Sequence, residues 1–330
     1  MMPAIFAYIT HRGGVVDDSA SELVSAARQL DPMASPVAIV IGSGSELEVA
    51  CQSLRASYRE IWKVANPALA YPNAELIRQA LVQVLPRGSI VLFPHAHFAM
   101  DLAPGLSVKL NTAFLSDVVG IEGVDGALLK VIRQEFGGQV SAHVSCDISS
   151  GAVITVRLGA FKPLEGTPLE DAVVVDKSSA VGSLSASRRY LETVAAEAGD
   201  VDITQYAVLV SIGRGIQEKE NVAIAEELAE AMGAAVACSR PVVDAKWLEK
   251  SRQVGSSGKT VKPKVYLACG ISGSSQHLAG IKGNPLIVAI NKNPQAPIFQ
   301  VADVGIVDDI LEFLPELTKK IREGRSVSAK

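Results

Sequence analysis

Between Lys264 and Asp309 the chain alternates apolar runs with polar, glycine-rich corners. Val265-Tyr266-Leu267-Ala268-Cys269-Gly270 leads into Ile271-Ser272-Gly273-Ser274-Ser275-Gln276-His277-Leu278-Ala279-Gly280, and Leu286-Ile287-Val288-Ala289-Ile290 ends on Asn291. A strand, a turn and a short helix in that order offer free backbone N–H groups to an anion such as a pyrophosphate. Gly270 and Gly273 carry no Cβ to hold a phosphate away. The chemistry these residue types suit is nucleotide binding. Four further features point the same way. Arg214 stands between two glycines after an apolar run, and Ser239-Arg240 follows Cys238. Gln253-Val254-Gly255-Ser256-Ser257-Gly258 is rich in hydroxyls, and Asn291 and Asp309 sit at a strand end and a helix start. Taken singly, each has an ordinary reading as a surface arginine, a flexible link, a turn former or an N-cap. Together they fall at the carboxyl ends of expected strands in one domain, where open α/β sheets hold ligands.

Other motifs fail position by position. Gly258-Lys259-Thr260 resembles the end of a P-loop, but that motif needs a glycine where Gln253 stands. Gly42-Ser43-Gly44 and Gly213-Arg214-Gly215 lack the third glycine of a dinucleotide fingerprint, meeting Leu47 and Glu218 instead. Gly270 to Ser274 lacks the closing glycine of a nucleophile elbow. His95 and His97 have no carboxylate or cysteine nearby in sequence and read as loop or packing residues, so no metal site is expected. The four cysteines, Cys51, Cys146, Cys238 and Cys269, form no C-x-x-C pair and read as buried thiols in a reducing compartment. A net charge of -4 gives no general reason to bind nucleic acid or an anionic membrane. No apolar run is long enough to span a bilayer and no signal sequence is evident, so a soluble, cytoplasmic chain without direct membrane insertion is expected.

These candidates need a scaffold of parallel strands. With 48% hydrophobic residues, 5% of all residues aromatic and 330 positions to fill, the cores must be built from Val, Ile, Leu and Ala in α/β layers, in two domains. From Ala4 to about Leu110 strands are expected at Ala4–Ile9, Val37–Ile41, Glu60–Val64 and Ser89–Phe93. Helices are expected near Ser19–Leu30, Glu46–Ala56 and Asn73–Leu85, with Ser45 and Asn73 as N-caps. From Leu115 through Ala127 to Lys130, and on over Val153–Leu158, short strands and glycine turns suggest antiparallel addition to the same domain. Lys162 to Asp202, with Pro163, Pro168 and several serines, suits a linker or wrapping arm. Then βα alternation resumes, with strands at Ala207–Ile212 and Ala234–Cys238, a helix over Glu218–Met232 and a last helix from Asp309 to Arg322. The expectation is an N-terminal α/β domain, residues 1–199, with a parallel sheet and added antiparallel strands. A doubly wound C-terminal domain follows over residues 200–330, with the boundary near Gly199.

At these residues the chain resembles the alpha subunit of electron transfer flavoprotein. The resemblance is carried by Ser239-Arg240-Pro241-Val242-Val243-Asp244-Ala245, Ser251-Arg252-Gln253-Val254-Gly255 with Gly258-Lys259, and Gly270-Ile271-Ser272-Gly273 with Gln276-His277-Leu278-Ala279-Gly280. Ile287 to Asn291, Ala296-Pro297-Ile298-Phe299 and Gly305-Ile306-Val307 extend it, and Phe161-Lys162-Pro163-Leu164 looks like the family's end-of-domain segment. The resemblance implies one non-covalent FAD on the C-terminal domain. Arg214, Ser239 and Arg240 would contact it, with Arg240 over the isoalloxazine ring. Ser257 stands where the family has a Thr or Ser whose hydroxyl reaches the flavin, and Val254, Gly255 and Ser256 complete that loop. Ser272, Gly273, Ser274, Ser275, Gln276 and His277 would hold the ribityl and pyrophosphate part, with His277 near the pyrimidine end. Asn291 and Asp309 would hold the adenosine. Ser275 and Ser256 depart from the commonest family residues.

The resemblance further implies a heterodimer with a beta subunit that carries AMP, or a second FAD in bifurcating forms. The implied role is electron transfer with no substrate chemistry of its own. Electrons would come from a flavin dehydrogenase of the acyl-CoA dehydrogenase type, as in fatty acid beta-oxidation, and go to a quinone oxidoreductase or another acceptor. Within the family the alternative is an FAD relay in an NADH-dependent bifurcating complex. Outside it stand an NAD-binding sirtuin-like domain and a non-redox interaction module.

Overall fold

The computed structural model describes residues 3–136, 140–163, 171–192 and 201–328. The chain separates into two compact units, Met1–Glu192 and Thr193–Lys330. The expected boundary at Gly199, together with Leu164 and Pro168 of the expected linker, lies outside the described residues.

The first unit starts with β1 (Ile5–Ile9), the small hairpin β2 (His11–Arg12) and β3 (Val15–Val16), α1 (Ser19–Leu30), β4 (Val37–Gly42), α2 (Gly44–Leu54) and β5 (Glu60–Ala65). It continues through α3 (Ala74–Val84), β6 (Ile90–Pro94), α4 (His97–Leu110), β7 (Ala113–Asp125), β8 (Leu128–Glu135), β9 (Val140–Asp147), β10 (Ala152–Val156) and β11 (Val173–Asp176). Nine of these strands form one sheet in the order β11-β5-β4-β1-β6-β10-β7-β8-β9. β1 is apolar at all five positions because both sheet faces are covered. Ile5, Ala7 and Ile9 share a core with α1 and α2 residues such as Leu23 and Leu47. Phe6 and Tyr8 share another with Ile77 of α3 and Leu102 of α4. Each of these leucines and isoleucines contributes about 1.5–3 kcal/mol by leaving water.

Several expectations need correction here. Val153–Leu158 was expected as antiparallel addition, but β10 lies inside the sheet, parallel to both β6 and β7. Only β8 and β9 add in antiparallel fashion. The expected linker contains β11, which pairs in parallel with the edge strand β5. Beyond it residues 181–190 run along α3 as an arm. Gln83 Oε1 accepts from the Gly182 amide, Gln79 Oε1 from Ser185 and Glu75 Oε2 from Ser187, while Tyr190 stacks on Tyr71. α4 was not expected: its N-cap, Ala96, makes no side-chain cap bond, and Pro104 lies inside it. The N-cap of α2 is Ser43, so Ser45 lies within the helix, whereas Asn73 does cap α3, its side chain accepting from the Glu75 and Leu76 amides.

The second unit contains β12 (Val208–Ile212), α5 (Val222–Met232), β13 (Ala235–Cys238), α6 (Arg240–Asp244), β14 (Val265–Cys269), α7 (Ser275–Leu278), β15 (Leu286–Ile290), β16 (Val304–Ile306) and α8 (Ile310–Ser328). Its strands are all parallel in the order β13-β12-β14-β15-β16. α5 and α8 cover one face through Leu228, Ala225 and Leu314, and loop residues such as Val254, Val261 and Ile298 cover the other. α5 starts four residues later than expected, after turns at Arg214–Ile216 and 218–221. β16 was not expected; it is three residues long and largely exposed. The two units are those of a two-domain α/β protein.

Candidate functional site at the carboxyl edge of the second sheet

Because all five strands are parallel, their carboxyl ends meet one edge. Strand order reverses at β12, with β13 on one side and β14 on the other, so the switch-point crevice opens between the Gly213 and Gly270 turns. Backbone bonds continue past the strands and clamp the edge residues in sequence. The Ser239 amide donates to Ile212 O at 3.0 Å, Gly213 to Cys269 O at 2.9 Å, Gly270 to Ile290 O at 2.8 Å and Asn291 to Ile306 O at 3.1 Å.

At the crevice the two turns touch through backbone. A Cβ on Gly213 would lie 2.3 Å from Gly270 O, and one on Gly215 would lie 2.6 Å from Gly270 Cα. Gly270 itself has φ +64°. Room for a phosphate was the expected reason for Gly270 and Gly273, but both are also required by the protein's own packing. A Cβ on Gly273 would lie 2.4 Å from the Ile298 amide nitrogen.

The expected site residues are placed as follows. Arg214 opens the turn after β12 and is exposed. Ser239 is the buried N-cap of α6, and Arg240 begins that helix, 70% exposed and paired loosely with Asp244. The loop of Val254, Gly255, Ser256 and Ser257 is anchored at both sides. Val254 N donates to Cys238 O at 2.9 Å, and Ser256 N to Gln276 O at 2.7 Å. Ser272, Ser274, Ser275 and Gln276 are exposed around Gly273 and α7. α7 is a single turn, so the helix expected after the glycines offers only short-range N–H donation.

Asn291 Nδ2 donates to Ile271 O, and its Oδ1 accepts from the Asn293 amide, each at 2.9 Å. Asp309 accepts from the Leu311 amide at the head of α8 and pairs with Lys292 Nζ at 2.6 Å; the lysine holds its carboxyl below the usual range. Both residues therefore perform the turn and cap roles the sequence allowed them, while remaining on the common edge.

His277, expected near the pyrimidine end of a flavin, has both ring nitrogens engaged by the protein itself. Its ring is buried, with Nε2 2.8 Å from the Tyr266 hydroxyl and Nδ1 3.1 Å from Val254 O. Burial drives its pKa down to about 4, against the Val254 carbonyl, which favours the protonated ring. Two residues outside the expected set support the edge. Tyr266 holds His277, and Gln253, also buried, donates its amide to Ser257 Oγ at 2.8 Å. Neither is exposed or at a strand end, so only the through-space pairing identifies them.

In the first unit, His95 Nδ1 lies 2.8 Å from Thr155 Oγ1, and Asp117 approaches its other nitrogen at 3.8 Å. Asp117 is in turn gripped by both arms of Arg157. Among the described residues no group of His, Cys, Asp or Glu is arranged to hold a metal, and no helix is long and apolar enough to cross a membrane. All four cysteines are free, and Cys146 is half-buried where a buried thiol was expected.

The donors along the edge are guanidinium, hydroxyl and backbone N–H groups, a set that suits an anionic, acceptor-rich ligand. Fold and site thus define a parallel α/β unit, with helices on one face and loops on the other, whose carboxyl edge carries donors of that kind. Residues 202–282 match the family model described as the electron transfer flavoprotein FAD-binding domain, and residues 5–181 match the electron transfer flavoprotein domain. Asn291 and Asp309 fall beyond the matched span. The electron transfer flavoprotein subunit alpha of Thermoanaerobacterium thermosaccharolyticum is 34% identical over 97% of this chain and 98% of its own length. That of Methylophilus methylotrophus is 36% identical over 97% and 99%. The lactate dehydrogenase (NAD(+),ferredoxin) subunit LctC of Acetobacterium woodii is 31% identical over 96% of this chain and 76% of its own length. The chain belongs to the electron transfer flavoprotein alpha-subunit family.

Proposed function

We propose that this chain is the alpha subunit of a heterodimeric electron transfer flavoprotein, working in the cytoplasm with one FAD held at the carboxyl edge of the second unit. The observation that carries the reading is the convergence of Arg214, Ser239, Arg240, the Val254–Ser257 loop, the Ser272–His277 segment, Asn291 and Asp309 on one edge of one parallel sheet. FAD supplies the redox couple. The guanidiniums of Arg214 and Arg240 would offer positive charge to a bound isoalloxazine, which gains negative charge on reduction. The Ser256 and Ser257 hydroxyls and the Ser272–Ser275 segment offer hydrogen bonds, and the glycine crossing keeps side-chain bulk out of the crevice. The beta subunit carries AMP. Electrons arrive from an acyl-CoA dehydrogenase-type flavoenzyme, as in fatty acid beta-oxidation, and leave to a quinone oxidoreductase.

The similarity to LctC favours a second reading, in which the chain relays electrons within an NADH-dependent bifurcating complex whose beta subunit carries FAD instead of AMP. One experiment tests both. The two subunits are co-expressed, the absorption spectrum recorded and every released nucleotide identified. FAD with AMP supports the simple carrier, and two FAD per heterodimer supports the relay. A preparation that contains no FAD and takes none up refutes the proposal.

A further inference from the structure

We propose that Tyr266 is a positioning residue: its hydroxyl fixes His277 as the neutral Nδ1–H tautomer, and His277 in that form clips the Val254–Ser257 loop to α7.

The tautomer follows from the partners. Val254 O can only accept, so the His277 Nδ1 facing it at 3.1 Å must carry the hydrogen. In a neutral ring Nε2 is then an acceptor, and the Tyr266 hydroxyl 2.8 Å away is its donor. Tyr266 is fully buried in the middle strand of its sheet, and burial pushes its phenol well above the ordinary range, so it stays protonated; the Ser211 hydroxyl also approaches the phenol oxygen and can donate to it while the phenol donates to Nε2. A protonated His277 would place two donors against Tyr266 and Val254, and the tyrosine would have to surrender its own donation.

The consequence reaches the loop that the flavin reading depends on. The carbonyl His277 holds belongs to Val254, whose amide is tied to Cys238 O at the end of β13. Two residues later the Ser256 amide donates to Gln276 O, the residue before His277. Gly255 passes so near α7 that a Cβ there would lie 2.8 Å from Gln276 O. The hydroxyl-bearing loop and the single-turn helix are thus held together by one side-chain bond and one backbone bond, and the side-chain bond is set by a phenol on the strand beneath. In this arrangement His277 contributes geometry and not charge, which leaves positive charge at the edge to Arg214 and Arg240.

This inference rests on the flavin reading for its functional meaning, but its test is separable. The full chain, co-purified with its beta subunit and labelled with 15N in the histidine rings, is observed at pH 7. Among its five histidines, His277 is assigned through the His277→Asn variant. The expected spectrum for His277 is a neutral Nδ1–H ring. Tyr266→Phe is expected to raise the share of the Nε2–H tautomer or of imidazolium, and to speed amide exchange at Ser256 about tenfold, the loss of one buried hydrogen bond. His277→Asn, which keeps a donor towards Val254 O, is expected to preserve more of that protection than His277→Ala. An Nε2–H or charged His277 in the wild-type complex overturns the inference even if Tyr266→Phe fails to fold. So does a folded Tyr266→Phe with unchanged tautomer and exchange. If the tautomer and exchange results hold in a protein that binds no FAD, the flavin reading falls and the positioning role stands. If FAD binds while His277 is charged, the reverse is true.

Discussion

Replacing Gly270 by alanine tests whether the backbone crossing at the switch point holds the second unit's edge together. Gly270 has φ +64°, and an added Cβ would lie 2.7 Å from Gly215 Cα and 3.0 Å from Ile310 Cδ1. The left-handed backbone alone costs an alanine about 1–2 kcal/mol. Forcing apart two backbones already in contact adds about 1–3 kcal/mol, so Gly270→Ala should lose about 2–5 kcal/mol in total. Gly233, which ends α5, provides a matched control: its φ is +66° and a Cβ there meets nothing within 4 Å. Gly233→Ala should therefore lose only the backbone part, about 1–2 kcal/mol. The assay is urea denaturation followed by the fluorescence of Trp247, which packs against the core of the second unit, in a Trp62→Phe background that removes the other tryptophan. Equal losses in the two variants would refute the claim that the crossing is a tight contact, because their φ angles nearly coincide while their neighbours differ. Loss of FAD affinity should also follow Gly270→Ala and not Gly233→Ala.

Three other outcomes follow from the geometry. His277 has an unfolded pKa near 6.5 and a folded one of about 4, so the unfolded chain binds the proton more readily; its stabilising contribution is complete above pH 6.5 and fades as pH falls towards 4. That loss is about 3 kcal/mol in wild type and should be absent from His277→Asn when unfolding free energies at pH 7 and pH 4 are compared. Arg240→Ala removes an exposed guanidinium worth about 1 kcal/mol to nearby negative charge. Spectroelectrochemistry of the FAD-loaded heterodimer should show a one-electron potential lower by about 40 mV, and an unchanged potential with FAD still bound would exclude Arg240 as a charge partner. Glu75→Ala removes the acceptor of the Ser187 amide and a partner of Arg188; hydrogen exchange across 182–190 and cleavage after Arg188 or Arg189 should accelerate while the urea midpoint of the whole chain stays put.

What sequence could reveal here was local. The apolar runs of β1, β4, β6, β12, β14 and β15 stand out because strands covered on both faces are apolar without interruption. Asn73 announces α3 by its side-chain chemistry. The polar edge was legible because glycines, hydroxyls and arginines follow those runs directly. Sheet order was not. β10 follows an antiparallel hairpin in sequence but takes a parallel place between β6 and β7, a pairing decided by distant partners. β11 was hidden by its short run amid polar sequence, and α4 by the absence of a capping side chain and by Pro104. The link from Tyr266 to His277 was equally hidden. Both residue types are common in cores, and only the fold brings the hydroxyl on β14 to the ring on α7.

The division of labour at the edge explains which changes there should matter most. The loops satisfy one another mainly through backbone: Gly215 N to Gly270 O, Ser256 N to Gln276 O and Ile298 N to Ser272 O. Bonds of that kind do not depend on side-chain identity, so they leave Ser272, Ser274, Ser275 and Arg214 exposed and available to a ligand. A site organised in this way has its shape before the ligand arrives, and binding costs little ordering of the chain. It follows that deleting one exposed hydroxyl removes a single modest hydrogen bond, about 0.5–1.5 kcal/mol, whereas a Cβ at the glycine crossing moves several donors at once. On the flavin reading, the glycines of the crossing should therefore govern affinity more strongly than the exposed serines.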